Sequence, residues 1–232
     1  MIRVLPLIAW LGLVSVGAVA ATAAESSDAA RAAYASAAAL QNREAWELAA
    51  EEWAALVKAH PADPLALKGR YYLAICQLKQ NDWAAAERTL RDVIASKADA
   101  ETLALARLDL GRGLYRAAQK KPDPQAFAAA AAALREFTTA SPAHPQAAEA
   151  AHLTGEALWQ AGRRDEAIAV WQAFLRDHPR AAKTPDVLYA LGVGLAEQKK
   201  FAEAAPVLER FAKDHASHRL ADDVALWRAD VA

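Results

Sequence analysis

A pattern of small and large residues returns every 37 positions along this chain. Ala167 recurs as Ala204, Gly155 as Gly192, Leu158 as Leu195, Trp171 as Leu208 and Phe174 as Phe211. Toward the N-terminus Ala167 maps to Ala130, Phe174 to Phe137 and Pro179 to Pro142, and Trp83 follows Trp46 at the same spacing. One interval is longer: Gly111 precedes Gly155 by 44 residues, after which Gly111, Ala74 and Ala37 resume the step of 37. A phase kept over five units, with one local insertion, requires a repeat architecture. The seven extra residues predict a hairpin insertion around Lys120, Lys121, Pro122, Asp123 and Pro124.

Each unit reads as two helices and a turn. Gly155, Leu158 and Ala161 lie three apart and share one face of a first helix, here called helix A. Gly162 supplies the left-handed residue that ends it. Helix B carries Ala167, Trp171 and Phe174 and stops before Pro179. Ala167 lets two helices approach, and the larger residues fill the space beyond. A lone hairpin cannot bury this much apolar surface, so units must stack on one another. More than a quarter of the chain is alanine, which favours helix. No segment alternates as a strand does.

The expected architecture is therefore all-α: a right-handed solenoid of helical hairpins, about five repeats plus a partial sixth. The units span about 28–62, 63–99, 100–144, 145–181 and 182–218, with a half unit at 219–232. Asp63-Pro64 and Asp123-Pro124 read as a cap followed by proline at the first helical position. Pro206 falls inside helix B of the fifth unit and is expected to bend or shift its first turns.

The unit resembles the tetratricopeptide repeat, whose helix A carries Trp-x-x-Leu-Gly-x-x-Tyr and whose helix B carries Ala-x-x-x-Phe-x-x-Ala before a closing proline. Here those slots hold Leu191-Gly192, Ala49 with Trp53, and Pro61, Pro142 and Pro179. The departure is length, 37 residues in place of the usual 34. Longer units with Tyr72-Leu73-Ala74 or Tyr189-Ala190-Leu191-Gly192 are similar to those of bacterial envelope proteins. Among these are the Tol–Pal-associated cell-division coordinator and the repeat proteins of outer-membrane assembly. The resemblance implies a non-enzymatic scaffold for envelope or cell-wall assembly. The coordinator's N-terminal coiled coil has no counterpart here.

Residues 1–24 differ from the repeats. Arg3 gives a positive start, Val4 to Val19 is apolar, and Ala21-Thr22-Ala23-Ala24 offers small residues where a signal peptidase cuts. The expectation is a cleaved secretory signal and a periplasmic or otherwise exported mature chain. The alternative is an uncleaved N-terminal anchor, which would be the one route to the membrane. The single cysteine, Cys76, lies in a predicted helix, so no lipoprotein anchor follows the leader and no internal disulfide forms. The chain has 27 Lys and Arg against 28 Asp and Glu, one of the bases being Arg3 in the leader. So balanced a charge gives no general attraction to nucleic acid.

There is no phosphate-binding glycine loop, GxSxG or HExxH. His60, His178 and His215 share one slot at unit boundaries, which marks a structural choice. No catalytic, metal or cofactor residue is assigned.

What the resemblance does place is a groove. The family's register turns slots 2, 5, 9 and 12–13 of helix A to the concave face. On this chain that gives Tyr34, Lys68, Tyr71, Lys79, Arg112, Tyr115, Arg116, His152, Glu156, Trp159 and Tyr189. Aromatics recur along it, with basic residues in units 1 to 3 and acidic ones in units 4 and 5. Such a groove suits an extended peptide or a helix of a protein partner. The alternative is a structural spacer, self-associating through the C-terminal half repeat, or the N-terminal part of a longer array.

Overall fold

The computed structural model describes residues 26–231; the expected signal segment lies outside them, as does Ala232 at the end of the half repeat. Eleven helices follow one another among the described residues. They are α1 (Asp28–Asn42), α2 (Trp46–Ala59), α3 (Pro64–Lys79), α4 (Trp83–Ile94), α5 (Ala100–Lys120), α6 (Pro124–Ala140), α7 (Ala147–Gln160), α8 (Arg164–Asp177), α9 (Thr184–Glu197), α10 (Phe201–Asp214) and α11 (Ala221–Asp230). Odd-numbered helices are the A helices and even-numbered ones the B helices. Each packs on its chain neighbours, as a solenoid of consecutive hairpins requires. None of the described helices is long and apolar enough to cross a membrane.

Caps set many of the starts. Ser27, Asp63, Asp82, Asp99 and Asp123 each accept a backbone amide of the first turn, and Pro64 and Pro124 occupy the first helical position. The turn from A to B recurs in four units. Glu44, Asn81, Gly162 and Lys199 stand at equivalent places, with φ of 58°, 62°, 75° and 59°. In unit 4 the Gly162 amide donates to the Trp159 carbonyl at 3.0 Å and the Arg163 amide to that of Leu158 at 2.9 Å. This pair of bonds is the Schellman closure of a helix.

The third unit alone lacks that turn, and its insertion lengthens both helices of the α5–α6 hairpin. Relative to unit 4, α5 runs four residues further past Gly111 and α6 starts three residues earlier before Ala130, which together absorb all seven. Lys121, Pro122 and Asp123 still make a three-residue connection. Ala117, Ala118 and Gln119 favour helix, and Asp123 caps α6 without a left-handed residue.

Pro206 does not break α10. Helices α9 and α10 repeat α7 and α8 at a step of 37 in both their starts and their ends. Pro206 sits in the second turn, and the Glu203 and Ala204 amides both donate to the Lys200 carbonyl at 3.0 Å. The first turn tightens and the helix continues.

The core is the seam between A and B helices. The large slot facing each helix A holds Trp53, Leu90, Leu134, Trp171 or Leu208, all essentially buried. Below it Phe137, Phe174 and Phe211 are buried, and the rings of His144, His178 and His215 lie 5.2, 5.5 and 5.7 Å from them. His218 rests on Phe211 as well, at 5.7 Å. These boundary histidines are packing residues. At the end of the chain Trp227 folds into the α9–α10 core, while Leu226 remains exposed.

Candidate functional site

Neighbouring A helices are tied along the concave face by polar contacts. The Tyr71 hydroxyl on α3 donates to Asp109 on α5 at 2.7 Å. Arg112 on α5 lies 3.4 Å from Asp109 and 2.7 Å from Glu149 on α7. Tyr115 on α5 donates to Glu156 on α7 at 3.3 Å. Arg219, just before α11, meets Asp186 on α9 at 2.9 Å. Among the described residues no hydrogen bond or ion pair joins α7 directly to α9.

That seam is where the groove opens. Pairs α1–α3, α3–α5, α5–α7 and α9–α11 pack directly, whereas α7 and α9 approach less closely. Two indoles stand between them. Trp171 reaches up from α8, and Trp159 on α7 lies 5.7 Å from it. Glycines make the room: a Cβ at Gly155 would overlap the indole nitrogen of Trp171, and one at Gly194 would lie 3.0 Å from Trp159. The result is a cavity of about 540 Å³ between α5, α7, α9 and the approach to α11.

Its walls hold Tyr115, His152, Glu156, Trp159 and Tyr189, five of the residues the sequence placed in the groove. The other six lie elsewhere. Tyr71 is only 9% exposed and sits between α3 and α5, held by Asp109, so it is a packing residue and no groove anchor. Tyr34 packs at 4.9 Å on Trp53 and at 6.1 Å on Tyr72. Lys68 pairs with Asp99 at 3.9 Å, and Lys79 lies over the Trp46 ring at 5.2 Å. Arg112 is engaged with Asp109 and Glu149, and Arg116 is exposed on α5 beyond the cavity. The expected division into a basic and an acidic half does not survive pairing. Glu149 meets Arg112, Asp186 meets Lys183 at 3.3 Å and Arg219, and Glu197 meets Arg164 at 3.0 Å.

Sequence reasoning gave no role in the groove to Trp171, Lys183, Gly194 or Arg219. Trp171 reads as core from its slot, and Arg219 belongs to a turn. The one available signal was the double tryptophan, 12 residues apart in unit 4, where the other units carry at most one at these two slots.

Electrostatics follow burial. His152 is 5% exposed, and burial holds its imidazole below the ordinary histidine value despite the nearby Glu156. Its Nε2 lies 3.4 Å from Glu156, while Nδ1 is buried without a hydrogen-bond partner. Burial, then the charge of Glu156, pushes the Tyr115 hydroxyl up to about 12. Asp109 is raised above the usual carboxylate range by its burial, against the pull of Tyr71 and Arg112.

The tetratricopeptide repeat pattern matches residues 69–96, 149–181 and 186–218, the second, fourth and fifth hairpins. Three of the hairpins thus match the tetratricopeptide repeat, and the array of hairpins is like a solenoid of such repeats. A comparison with proteins of curated function found no match. Among solved structures it is similar to MamA, residue 41 to the end, from Desulfovibrio magneticus RS-1. That likeness has 18% identity over 83% of this chain and 98% of that one, with a TM-score of 0.64. YrrB, described as a TPR protein with an unusual peptide-binding site, is 16% identical over 84% of this chain and 90% of its own, with a TM-score of 0.63. A tetratricopeptide repeat protein from Parabacteroides merdae ATCC 43184 is 12% identical over 88% and 73%, with a TM-score of 0.66. At these identities the likeness is one of fold.

Proposed function

We propose that this tetratricopeptide repeat chain is an exported scaffold that binds a peptide or protein segment along its concave face, in the assembly or organisation of the cell envelope. The observation that carries the binding reading is the opening between α7 and α9. There the half-exposed rings of Trp159, Tyr115 and Tyr189 surround a cavity large enough for a side chain. YrrB offers a parallel, since its fold is similar and it has a peptide-binding site. Export and an envelope role rest on residues 1–24 and on the resemblance of the 37-residue unit.

The binding test is selection of random 12-residue peptides displayed on phage against the purified chain and against Trp159→Ala. Peptides enriched on the first and lost on the second support the groove. No enrichment, or enrichment indifferent to Trp159, overturns it. For export, the test is cell fractionation with N-terminal sequencing of the processed protein. A periplasmic chain starting at Ala24 or Glu25 supports cleavage, and a cytoplasmic chain starting at Met1 overturns it.

A further inference from the structure

The groove reading leaves the anchoring side chain unassigned, and the inference below rests on that reading. Four acids line the cavity: Glu149, Glu156, Asp186 and Glu197. Three of them already face a lysine or arginine. Glu156 does not. Its carboxylate meets the Tyr115 hydroxyl at 3.3 Å and the His152 Nε2 at 3.4 Å, two long contacts to neutral groups. Burial keeps the imidazole uncharged, so the negative charge of Glu156 has no full counter-charge beside it.

The cavity thus combines an unmatched carboxylate with apolar ring surface. A group that donates only, carries positive charge and has an aliphatic stem answers both. An ammonium has three donors and a guanidinium five, and neither accepts. Lys183 and Arg219, the bases in the wall, are both held by Asp186, so an acidic or phosphorylated side chain would meet four carboxylates and no base free of a partner. Arg164 covers the Trp159 ring at 4.5 Å, so this indole already receives one guanidinium.

We propose that the cavity between α7 and α9 is the socket for a lysine or arginine side chain of the bound segment. Glu156 forms the ion pair, and Trp159 and Tyr189 pack the aliphatic stem.

The test uses the full chain and the peptides selected on it in a Trp159-dependent way. The expected result is a lysine or arginine shared by those peptides. Replacing it by norleucine weakens the dissociation constant about tenfold or more, and so does Glu156→Gln. Glu156→Lys is expected to lose these peptides and to gain affinity for versions carrying glutamate at that position. The norleucine peptide leaves the protein untouched, so that arm stands even where a variant folds poorly. Trp159-dependent peptides with an apolar or acidic anchor, or indifference to norleucine, overturn the basic socket and leave the groove intact. A failure to select any Trp159-dependent peptide overturns both.

Discussion

Gln41 accepts the indole N–H of Trp53 at 2.8 Å, joining the last turn of α1 to the middle of α2. Trp171 occupies the slot of Trp53 in unit 4, but the residue in the slot of Gln41 there is Trp159. The Trp171 N–H is accordingly buried without an acceptor. The two tryptophans are 1% and 2% exposed, so the same substitution removes similar volume from each. Trp53→Phe breaks a hydrogen bond and leaves the Gln41 carbonyl only the long contact from the Cys76 thiol at 3.8 Å, whereas Trp171→Phe removes a group that had no partner. Chemical denaturation should find Trp53→Phe the more costly by about 1–2 kcal/mol. Equal losses would mean that the indole of Trp171 is satisfied in solution.

The left-handed turn residues make a second contrast. Nothing lies within 4 Å of a Cβ added at Gly162, so Gly162→Ala reports backbone strain with little steric contribution. It should destabilise by about 1 kcal/mol. Lys199 holds the same conformation with a side chain, at φ 59°. Lys199→Gly should therefore raise the melting temperature, its smaller gain reflecting the extra freedom that glycine brings to the unfolded chain. A fall in melting temperature would show that contacts of the Lys199 stem outweigh the strain.

How far the sequence could be read follows from what repeats. Positions such as Ala130, Ala167 and Ala204 recur because every hairpin needs a close approach there, so period, helix pairing and core could all be read. The insertion could be located but its conformation could not be read, because a length difference carries no conformation; Asp123 and the alanines before it decide that it becomes helix. The groove was half legible. A family register assigns slots, but Tyr71 and Trp159 hold concave slots with opposite fates. Asp109 draws Tyr71 between helices, and Gly194 lets Trp159 stand at an opening. Those outcomes depend on neighbours 38 and 35 residues away, which no single slot records.

The Tyr71–Asp109 bond itself is testable. Asp109 has its folded pKa raised by burial, with Tyr71 and Arg112 opposing the rise. A carboxyl raised on folding contributes stability below its unfolded value and loses it as pH climbs through the folded one. Tyr71→Phe removes an opposing group, so the folded value rises further and the loss at neutral pH deepens. The variant should be less stable than the parent by about 1.5–3 kcal/mol at pH 7, the range for a hydrogen bond to a charged group. The gap should narrow at pH 3–4, where the carboxyl takes its proton. A gap constant with pH would assign the whole effect to packing.

His152 titrates in the opposite sense. Its folded value lies below the ordinary one because of burial and Lys183, against Glu156, Asp186 and Glu149. Tyr115 and Arg112 face the same region from α5. As pH falls below about 6.5 the unfolded chain takes up a proton that the folded imidazole refuses. Stability is therefore full at neutral pH and declines on acidification, by at most about 1.4 kcal/mol per pH unit for one group. His152→Gln keeps a donor for Glu156 and cannot titrate. Denaturation between pH 7.5 and 5 should show a steeper decline for the parent chain than for the variant. Parallel declines would place the acid sensitivity in carboxylates elsewhere, and would show that His152 gains its proton in the folded cavity as readily as in water.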